Sequence, residues 1–159
     1  MREQDIGQVT RIYLQCFKGM REFKLAKKWI TLRHSSFPAS QFFVATFGKK
    51  ILGYIQWVEL GGFRKEAVLE LDQIAVSPDH QGKGIGEKLV KESLKQVSSY
   101  LRSRRSTIKL IKVTTGTGNE AQRFYRRVLN ARQVAVIPDF FRSDEAILIA
   151  RKTEISDLI

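Results

Sequence analysis

Hydrophobic side chains change their spacing several times along the chain, and each change marks a predicted helix or strand. Over residues 5–17 they recur every three or four positions, which is typical of an amphipathic helix, and Asp5 is a suitable N-cap. Gly19 ends this helix. A second helix, rich in basic residues, is predicted over residues 20–32. Its expected apolar stripe is Phe23, Leu25, Trp29, Ile30 and Leu32. Residues 34–38 are predicted to form a loop, since Pro38 disfavours helix in the residue before it.

Strand-like segments follow. In some of them apolar residues alternate with polar ones, and others are rich in β-branched and aromatic residues. They are predicted over residues 41–47, 51–60 and 68–76, with turns at Gly48-Lys49-Lys50 and Gly61-Gly62. A long helix over residues 84–101 carries one apolar face: Ile85, Leu89, Val90, Leu94, Val97 and Leu101. The remaining predictions are a strand at 108–113, a loop at 114–119, a helix at 120–129 ending at Asn130, and closing strands at 133–137 and 146–151.

This order of elements predicts an α/β fold in which a central mixed, mostly antiparallel sheet is flanked by helices. At 159 residues the chain has the length of one domain, so we expect a single domain over residues 1–159. The sequence contains no internal repeat and no low-complexity linker.

Composition narrows the function classes. Cys16 is the only cysteine, which excludes an intrachain disulfide and a cysteine metal cluster, and we expect its thiol to pack as a small hydrophobe. The two histidines are isolated, so no structural metal is predicted. No apolar run approaches the ~20 residues of a membrane span, and the first residues are polar. We therefore expect a soluble cytoplasmic protein with no membrane partner.

The net charge of +12 and the pI near 10.1 permit attraction of coenzyme A phosphates, of an acidic substrate, or of nucleic acid. The basic residues are spread over the chain, apart from the local cluster Arg102-Ser103-Arg104-Arg105. Most of them are expected to be solvated helix-end cations. Nucleic acid is the disfavoured partner, because no basic stripe is interleaved with aromatics for base stacking.

A glycine-rich stretch joins the third strand to the long helix: Gln81-Gly82-Lys83-Gly84-Ile85-Gly86. Glycines at a strand-to-helix junction let backbone N–H groups point outward, and the positive end of the helix dipole favours an anion there. The spacing fits neither the P-loop G-x-x-x-x-G-K-[ST] nor the dinucleotide pattern G-x-G-x-x-G. The stretch therefore predicts a phosphate or pyrophosphate site of another kind.

Residues 74–86 resemble the acyl-CoA-binding signature of the GNAT superfamily of N-acetyltransferases, V-x-P-x-x-[QR]-x-x-G-x-[GA]. The defining positions are Val76, Pro78, Gln81, Gly84 and Gly86. The element order also resembles this family over most of the chain, which implies the acyl-CoA N-acyltransferase fold, (β)ααβββαβαββ. Family members usually begin with a strand before the first helix; with only about four residues before Asp5, we expect it to be short or absent.

The resemblance implies acetyl-CoA as co-substrate, with no metal. Its pyrophosphate would be held by Gln81, Gly82, Lys83, Gly84, Ile85 and Gly86. The pantetheine arm and thioester would be bound by the backbone of Ile74, Ala75 and Val76, one of whose N–H groups would act as an oxyanion hole. Residues 119–125 resemble the family's second motif, N-x-x-A-x-x-F-Y. Asn119 lies one position later than the asparagine of this motif, and the resemblance implies that it contacts the cofactor. The family's tyrosine falls on Tyr125, the candidate general acid, whose alternative role is a core tyrosine.

Strand alternation places Glu70 and Asp72 on one otherwise apolar face of the third strand. Unpaired carboxylates are expensive to bury, so a place at the mouth of a substrate cleft would explain them. In several family members an acidic residue two positions before Ile-Ala-Val removes the amine proton, and Asp72 occupies that position; Glu70 is the second candidate. An ion pair with a neighbouring lysine, or a water chain acting as the base, stay open.

The leading hypothesis is an N-acetyltransferase that moves the acetyl group directly to a primary amine in a ternary complex. The acceptor, whether a small molecule, a protein N-terminus or a lysine, is not identified by any motif in the first two helices or in the 61–66 and 138–145 loops. The alternative hypothesis is a non-catalytic acyl-CoA-binding regulatory module. A homodimer also stays open.

Overall fold

The computed structural model describes residues 1–17, 19–141 and 143–159. Over these residues it has four α-helices and six strands, in the order α1 (Ile6–Cys16), α2 (Phe23–Ser35), β1 (Ser40–Phe47), β2 (Lys50–Leu60), β3 (Glu66–Val76), α3 (Ile85–Ser103), β4 (Thr107–Gly116), α4 (Ala121–Leu129), β5 (Arg132–Ile137) and β6 (Glu145–Arg151). The predicted α/β order of elements is confirmed.

The strands form a six-stranded sheet in the order β1-β2-β3-β4-β6-β5. The pairs β1/β2, β4/β6 and β5/β6 are antiparallel, while β3 and β4 are parallel, which confirms a mixed, mostly antiparallel sheet. The parallel register runs from Glu66 opposite Thr107 to Glu70 opposite Lys112. Strand β3 itself continues to Val76, so its last part lies beyond this ladder.

The chain divides into two compact units, one of Met1–Val58 with Gln73–Ser93 and one of Glu59–Asp72 with Leu94–Ile159. In the first unit, α1 and α2 pack with β1 and β2 around a buried cluster: Ile6, Val9, Ile12, Tyr13, Ala26, Ile30, Phe42, Ile51, Tyr54 and Ala75. Trp57 is also buried here, and its indole N–H donates to Ser93 Oγ at 2.8 Å. Burying the tryptophan therefore leaves no unsatisfied donor.

In the second unit the core is aliphatic. Its largest fully buried side chains are Leu69, Leu71, Leu94, Leu101, Ile108, Ile111, Leu129 and Leu148. Glu59 is almost fully buried and forms an ion pair with Arg104, whose guanidinium lies over the rings of Tyr100 and Phe63. Among the residues that the structure describes, no helix is both long and apolar enough to cross a membrane.

The predicted apolar stripe of the second helix is wrong in its orientation. The helix packs through Ala26 and Ile30, both fully buried, whereas Phe23, Leu25, Trp29 and Leu32 are 38–56% exposed. Residues 26 and 30 are separated by one helical turn, and Leu25, Trp29 and Leu32 lie on a different line along the helix. The helix also begins and ends three residues later than predicted, so His34 and Ser35 are helical rather than part of a loop.

Two other local predictions are corrected, and the segment before α1 agrees with the expectation that the family's first strand is short or absent. Asp5 precedes α1, but its carboxylate accepts the backbone N–H of Arg2 at 2.7 Å and caps no helical N–H. Residues 114–116, predicted as loop, extend β4 because they pair with β6. The residues before α1 form a short 3-10 turn, Glu3–Asp5, rather than a strand, and short 3-10 turns at Lys152–Glu154 and Ser156–Leu158 follow β6. Asn130 ends α4 in the left-handed conformation, as predicted.

Candidate functional site

The glycine-rich loop lies in the first unit, between β3 and the start of α3. A 3-10 turn, Pro78–His80, follows the strand, and Gly82 and Gly84 then adopt positive φ values of 73° and 75°. Side chains other than glycine are strained in this region. A Cβ at either glycine would meet no atom within 4 Å, so the face of the loop is open. The first N–H groups of a helix have no partner in the helix, so the start of α3 presents donors to an anion.

Three side chains fix the ends of this loop. Gln81 Nε2 donates to the carbonyl oxygen of Val76 at 3.0 Å, and Cys16 Sγ donates to the same oxygen at 3.4 Å. Lys83 Nζ donates back to the carbonyl of Asp79 at 3.0 Å. Burial raises the pKa of the Cys16 thiol, which keeps it protonated and able to donate. The thiol is thus half-buried and bonded to the end of the strand that the loop follows.

Gly53 supports the same strand, although no motif in the sequence singled it out. A Cβ on Gly53 would lie 2.7 Å from the carbonyl oxygen of Ala75 and 3.2 Å from Cα of Val76. Leu52, next to it, is the extra residue of a bulge against β1, and its carbonyl accepts the N–H of Ser77 at 2.8 Å. A glycine in a strand often marks such a bulge and close backbone approach, and this is the signal that could have found it.

We expect Gly53→Ala to lower the free energy of unfolding by about 1–3 kcal/mol, because the added methyl group meets backbone atoms that cannot rotate away. Urea denaturation measures this. The matched control is Gly7→Ala in α1, where a Cβ meets nothing within 4 Å outside its own helix. There the change should stabilise the protein by about 0.5–1 kcal/mol. Equal effects at the two positions would contradict the assigned role of Gly53.

Glu70 and Asp72, the candidate bases, lie in the second unit and have different surroundings. Glu70 Oε1 is 2.9 Å from Lys112 Nζ and accepts the hydroxyl of Thr114 at 3.2 Å. Its side chain is 16% exposed. Asp72 is exposed. The ion pair of Glu70 with Lys112 is the structural alternative that the sequence left open for these carboxylates.

Tyr125 lies on α4, also in the second unit, and its side chain is 8% exposed. Its ring makes an edge contact with that of Phe124. Burial raises the pKa of Tyr125 to about 12. At neutral pH the hydroxyl is therefore protonated and able to donate a hydrogen bond.

The raised pKa predicts how stability depends on pH. The pKa of Tyr125 rises from 10.0 to about 12 on folding, so the folded state favours the protonated form. This contribution is fully present below pH 10 and is lost as the pH rises toward 12; a shift of this size corresponds to about 3 kcal/mol. We therefore expect the free energy of unfolding of wild type relative to Tyr125→Phe to fall by up to this amount across that range. Parallel curves for the two proteins in urea titrations would contradict the prediction.

Asn119 and Gln122 organise the start of α4. Asn119 Oδ1 accepts the N–H of Ala121 at 2.9 Å, which caps the helix, and its Nδ2 donates to Thr115 Oγ1 at 3.0 Å. Gln122 is buried, and its Nε2 donates to the carbonyls of Gly116 and Thr117. Asn119, predicted to contact the cofactor, thus has a local structural role. Gln122 was not predicted, and nothing in the sequence pattern distinguishes it from an exposed glutamine.

The predicted site residues thus fall into two groups. The first unit contains the end of β3 (Ile74, Ala75 and Val76) and the glycine-rich loop, and the side chain of Gln81 is hydrogen-bonded there to the carbonyl of Val76. The second unit contains Glu70, Asp72, Asn119 and Tyr125. The acceptor loop predicted at 138–145 lies partly outside the described residues. Within the described residues, no group of three or more histidine, cysteine or acidic side chains could hold a metal ion.

Comparison with known proteins defines the class of protein. A family model described as an acetyltransferase (GNAT) domain matches residues 38–128, which is more than half of the chain. This span includes the glycine-rich loop and Tyr125. The chain therefore belongs to the GNAT acetyltransferase family.

Individual relatives are distant. The chain is 24% identical over 139 residues to an uncharacterized N-acetyltransferase of Methanocaldococcus jannaschii; the match covers 79% of this chain and 56% of that protein, so the chain spans little more than half its length. It is structurally similar to Ard1 from Thermoplasma volcanium, with a TM-score of 0.72, 20% identity and coverage of 94% and 92%. It also resembles a chimera of a Vibrio cholerae spermidine N-acetyltransferase, with a TM-score of 0.75, 16% identity and coverage of 99% and 96%. The structural likenesses show the fold.

Proposed function

We propose that this protein is an acetyl-CoA-dependent N-acetyltransferase that transfers the acetyl group directly to a primary amine. The observation that carries the proposal is the open loop at the start of α3, with Gly82 and Gly84 in the left-handed conformation, in a chain of the GNAT family. Backbone N–H groups of residues 81–86 would hold the pyrophosphate of acetyl-CoA. Because Lys83 Nζ reaches back to Asp79, the backbone rather than this ammonium group is the main ligand.

The end of β3 is the proposed seat of the thioester. The parallel ladder with β4 ends at Glu70, and β3 continues through Ile74, Ala75 and Val76. Acetyl-CoA supplies an activated acyl group when bound. A backbone N–H of this segment would polarise the acyl carbonyl, as an oxyanion hole does. Gly53 and the paired hydrogen bonds to the Val76 carbonyl would hold the segment still for that purpose.

Two protons must move during the transfer. An ammonium group must lose a proton before it can attack, and we propose that Asp72 accepts it, directly or through water. Glu70 is the second candidate, and Lys112 and Thr114 both contact one of its oxygens. We assign Tyr125 to the leaving thiolate, to which its protonated hydroxyl would donate.

The charge of the chain bears on the acceptor. The name of one structural neighbour gives spermidine as its acceptor, and a polyamine is a polycation. This chain has a net charge of +12, which would repel such a substrate over long range. We therefore propose that the acceptor is an amine on a neutral or acidic molecule, for example the α-amine of a polypeptide.

The test is calorimetric titration of the protein with acetyl-CoA, followed by a thiol-release assay against amines and N-terminal peptides. Micromolar binding together with thiol release is the expected result. Binding without release from any acceptor would favour the non-catalytic regulatory module instead. Absence of binding would contradict the assignment of the loop at residues 81–86.

A further inference from the structure

Helix α2 carries a lysine-lined depression that the proposed chemistry does not use. Its volume is about 320 Å³, and Lys24, Lys27, Lys28, Thr31 and Leu32 line it. Lysines 24, 27 and 28 are exposed. Leu32 in the lining is 56% exposed, and Leu25 on the same helix is 51% exposed. This is a concentration of positive charge next to an apolar surface.

The charge on α2 has one sign. Its sequence, FKLAKKWITLRHS, contains three lysines and an arginine and no carboxylate. Arg33 stacks on Trp29, with its Cζ 5.3 Å from the ring centroid, and leaves the lysines as the solvated cations of this face. A second copy of the chain would bring like charges together, which disfavours self-association through α2. Charge complementarity requires an acidic occupant.

The depression is within reach of the end of β3, the proposed position of the thioester, which lies in the same unit. Cys16, the last residue of α1, contacts the carbonyl of Val76, and α2 begins at Phe23. Eight residue steps, from Cys16 to Lys24 at the start of the depression, span at most about 28 Å. An extended polypeptide whose α-amine lies at the end of β3 covers that distance with about eight residues of its own.

We propose that the Lys24–Lys27–Lys28 depression binds an acidic segment of a polypeptide acceptor, within the first eight or so residues after the acetylated amine. Leu25 and Leu32 then contact the apolar side chains of that segment. The inference rests on the proposed N-acetyltransferase activity and names the class of its acceptor. It requires the lysines for acceptor recognition and not for acetyl-CoA binding.

The experiment compares two peptides of about ten residues that share their first three residues and carry either four glutamates or four glutamines thereafter. The thiol-release assay measures kcat/KM for each with wild type, with the triple variant Lys24→Gln, Lys27→Gln, Lys28→Gln, and with the control Lys49→Gln, Lys50→Gln, Lys109→Gln. The control removes the same charge from other exposed positions. Fluorescence anisotropy of the glutamate peptide with a blocked N-terminus measures binding without turnover.

We expect wild type and the control to prefer the glutamate peptide by about tenfold, mainly through KM, and the depression variant to lose this preference along with anisotropy binding. Acetyl-CoA affinity should be the same in all three.

Equal kcat/KM for the two peptides in wild type, or equal losses in both triple variants, would overturn the proposal. So would displacement of the blocked peptide by a single-stranded oligonucleotide without any glutamate preference in turnover, since the depression would then be a nucleic-acid contact. If neither peptide causes thiol release, the proposed N-acetyltransferase activity itself is wrong. The anisotropy measurement then tests peptide binding to the depression independently of that activity.

Discussion

Replacing Gly84 with glutamate is expected to weaken acetyl-CoA binding by at least about 100-fold, equivalent to about 2.7 kcal/mol. Gly84 has φ +75° and directly precedes α3, and a Cβ there points into open space on the loop. A carboxylate at this position would face the proposed pyrophosphate, and the two negative charges would repel each other at short range. Calorimetric titration with acetyl-CoA measures the loss.

Backbone strain must be separated from charge in this experiment. Gly48→Glu is the matched control, because Gly48 also has a positive φ, +56°, and no atom within 4 Å of its Cβ direction, but it lies in the turn between β1 and β2. Both variants bear the cost of a non-glycine residue in the left-handed region, about 1 kcal/mol. Gly48→Glu should bind acetyl-CoA like wild type, and Gly84→Ala should lie between wild type and Gly84→Glu. Wild-type affinity in Gly84→Glu would refute the site.

Regular local patterns allowed much of this fold to be predicted. Most of the apolar face of α3 was predicted correctly, because a helix that lies on a sheet shows its 3.6-residue period directly. Of the six predicted residues, Leu89, Val90, Leu94, Val97 and Leu101 are buried, and Ile85 is half-buried. The prediction of the buried face of α2 was wrong because apolar residues lie along two different lines of this helix, and only tertiary contacts decide which line is buried. Nothing local distinguishes Ile30, which is buried, from Trp29, which is exposed.

The candidate site likewise has parts that could be predicted from the sequence and parts that could not. The loop at residues 81–86 could be predicted, because positive φ values require glycine and leave a visible spacing in the sequence. The surroundings of Glu70 could not, since Lys112 is 42 positions away in sequence and meets it only through the register of β3 with β4. Gly53 was missed for a related reason. One glycine in a strand pattern is a weak signal until the backbone it approaches, at Ala75, is known.

Tyr125→Phe is expected to lower kcat by about 10²–10³-fold and to leave acetyl-CoA affinity within about twofold of wild type. The substitution removes only the hydroxyl that we assign to the leaving thiolate, and the ring keeps its packing against Phe124. A pKa of about 12 means that this hydroxyl is protonated throughout the usual assay range. Thiol release under saturating acetyl-CoA measures kcat, and calorimetry measures affinity.

The pH profile separates an acid from a merely structural tyrosine. If Tyr125 is the proton donor, wild-type kcat should show no alkaline decline attributable to this group below about pH 11, because its pKa is about 12. The remaining activity of Tyr125→Phe should improve with a cofactor analogue whose thiol has a lower pKa, since a better leaving group depends less on protonation. Tyr100→Phe is the control; it removes a hydroxyl from α3 near Arg104 and should keep kcat. Full turnover in Tyr125→Phe, or equal losses in the two variants, would remove Tyr125 from the mechanism.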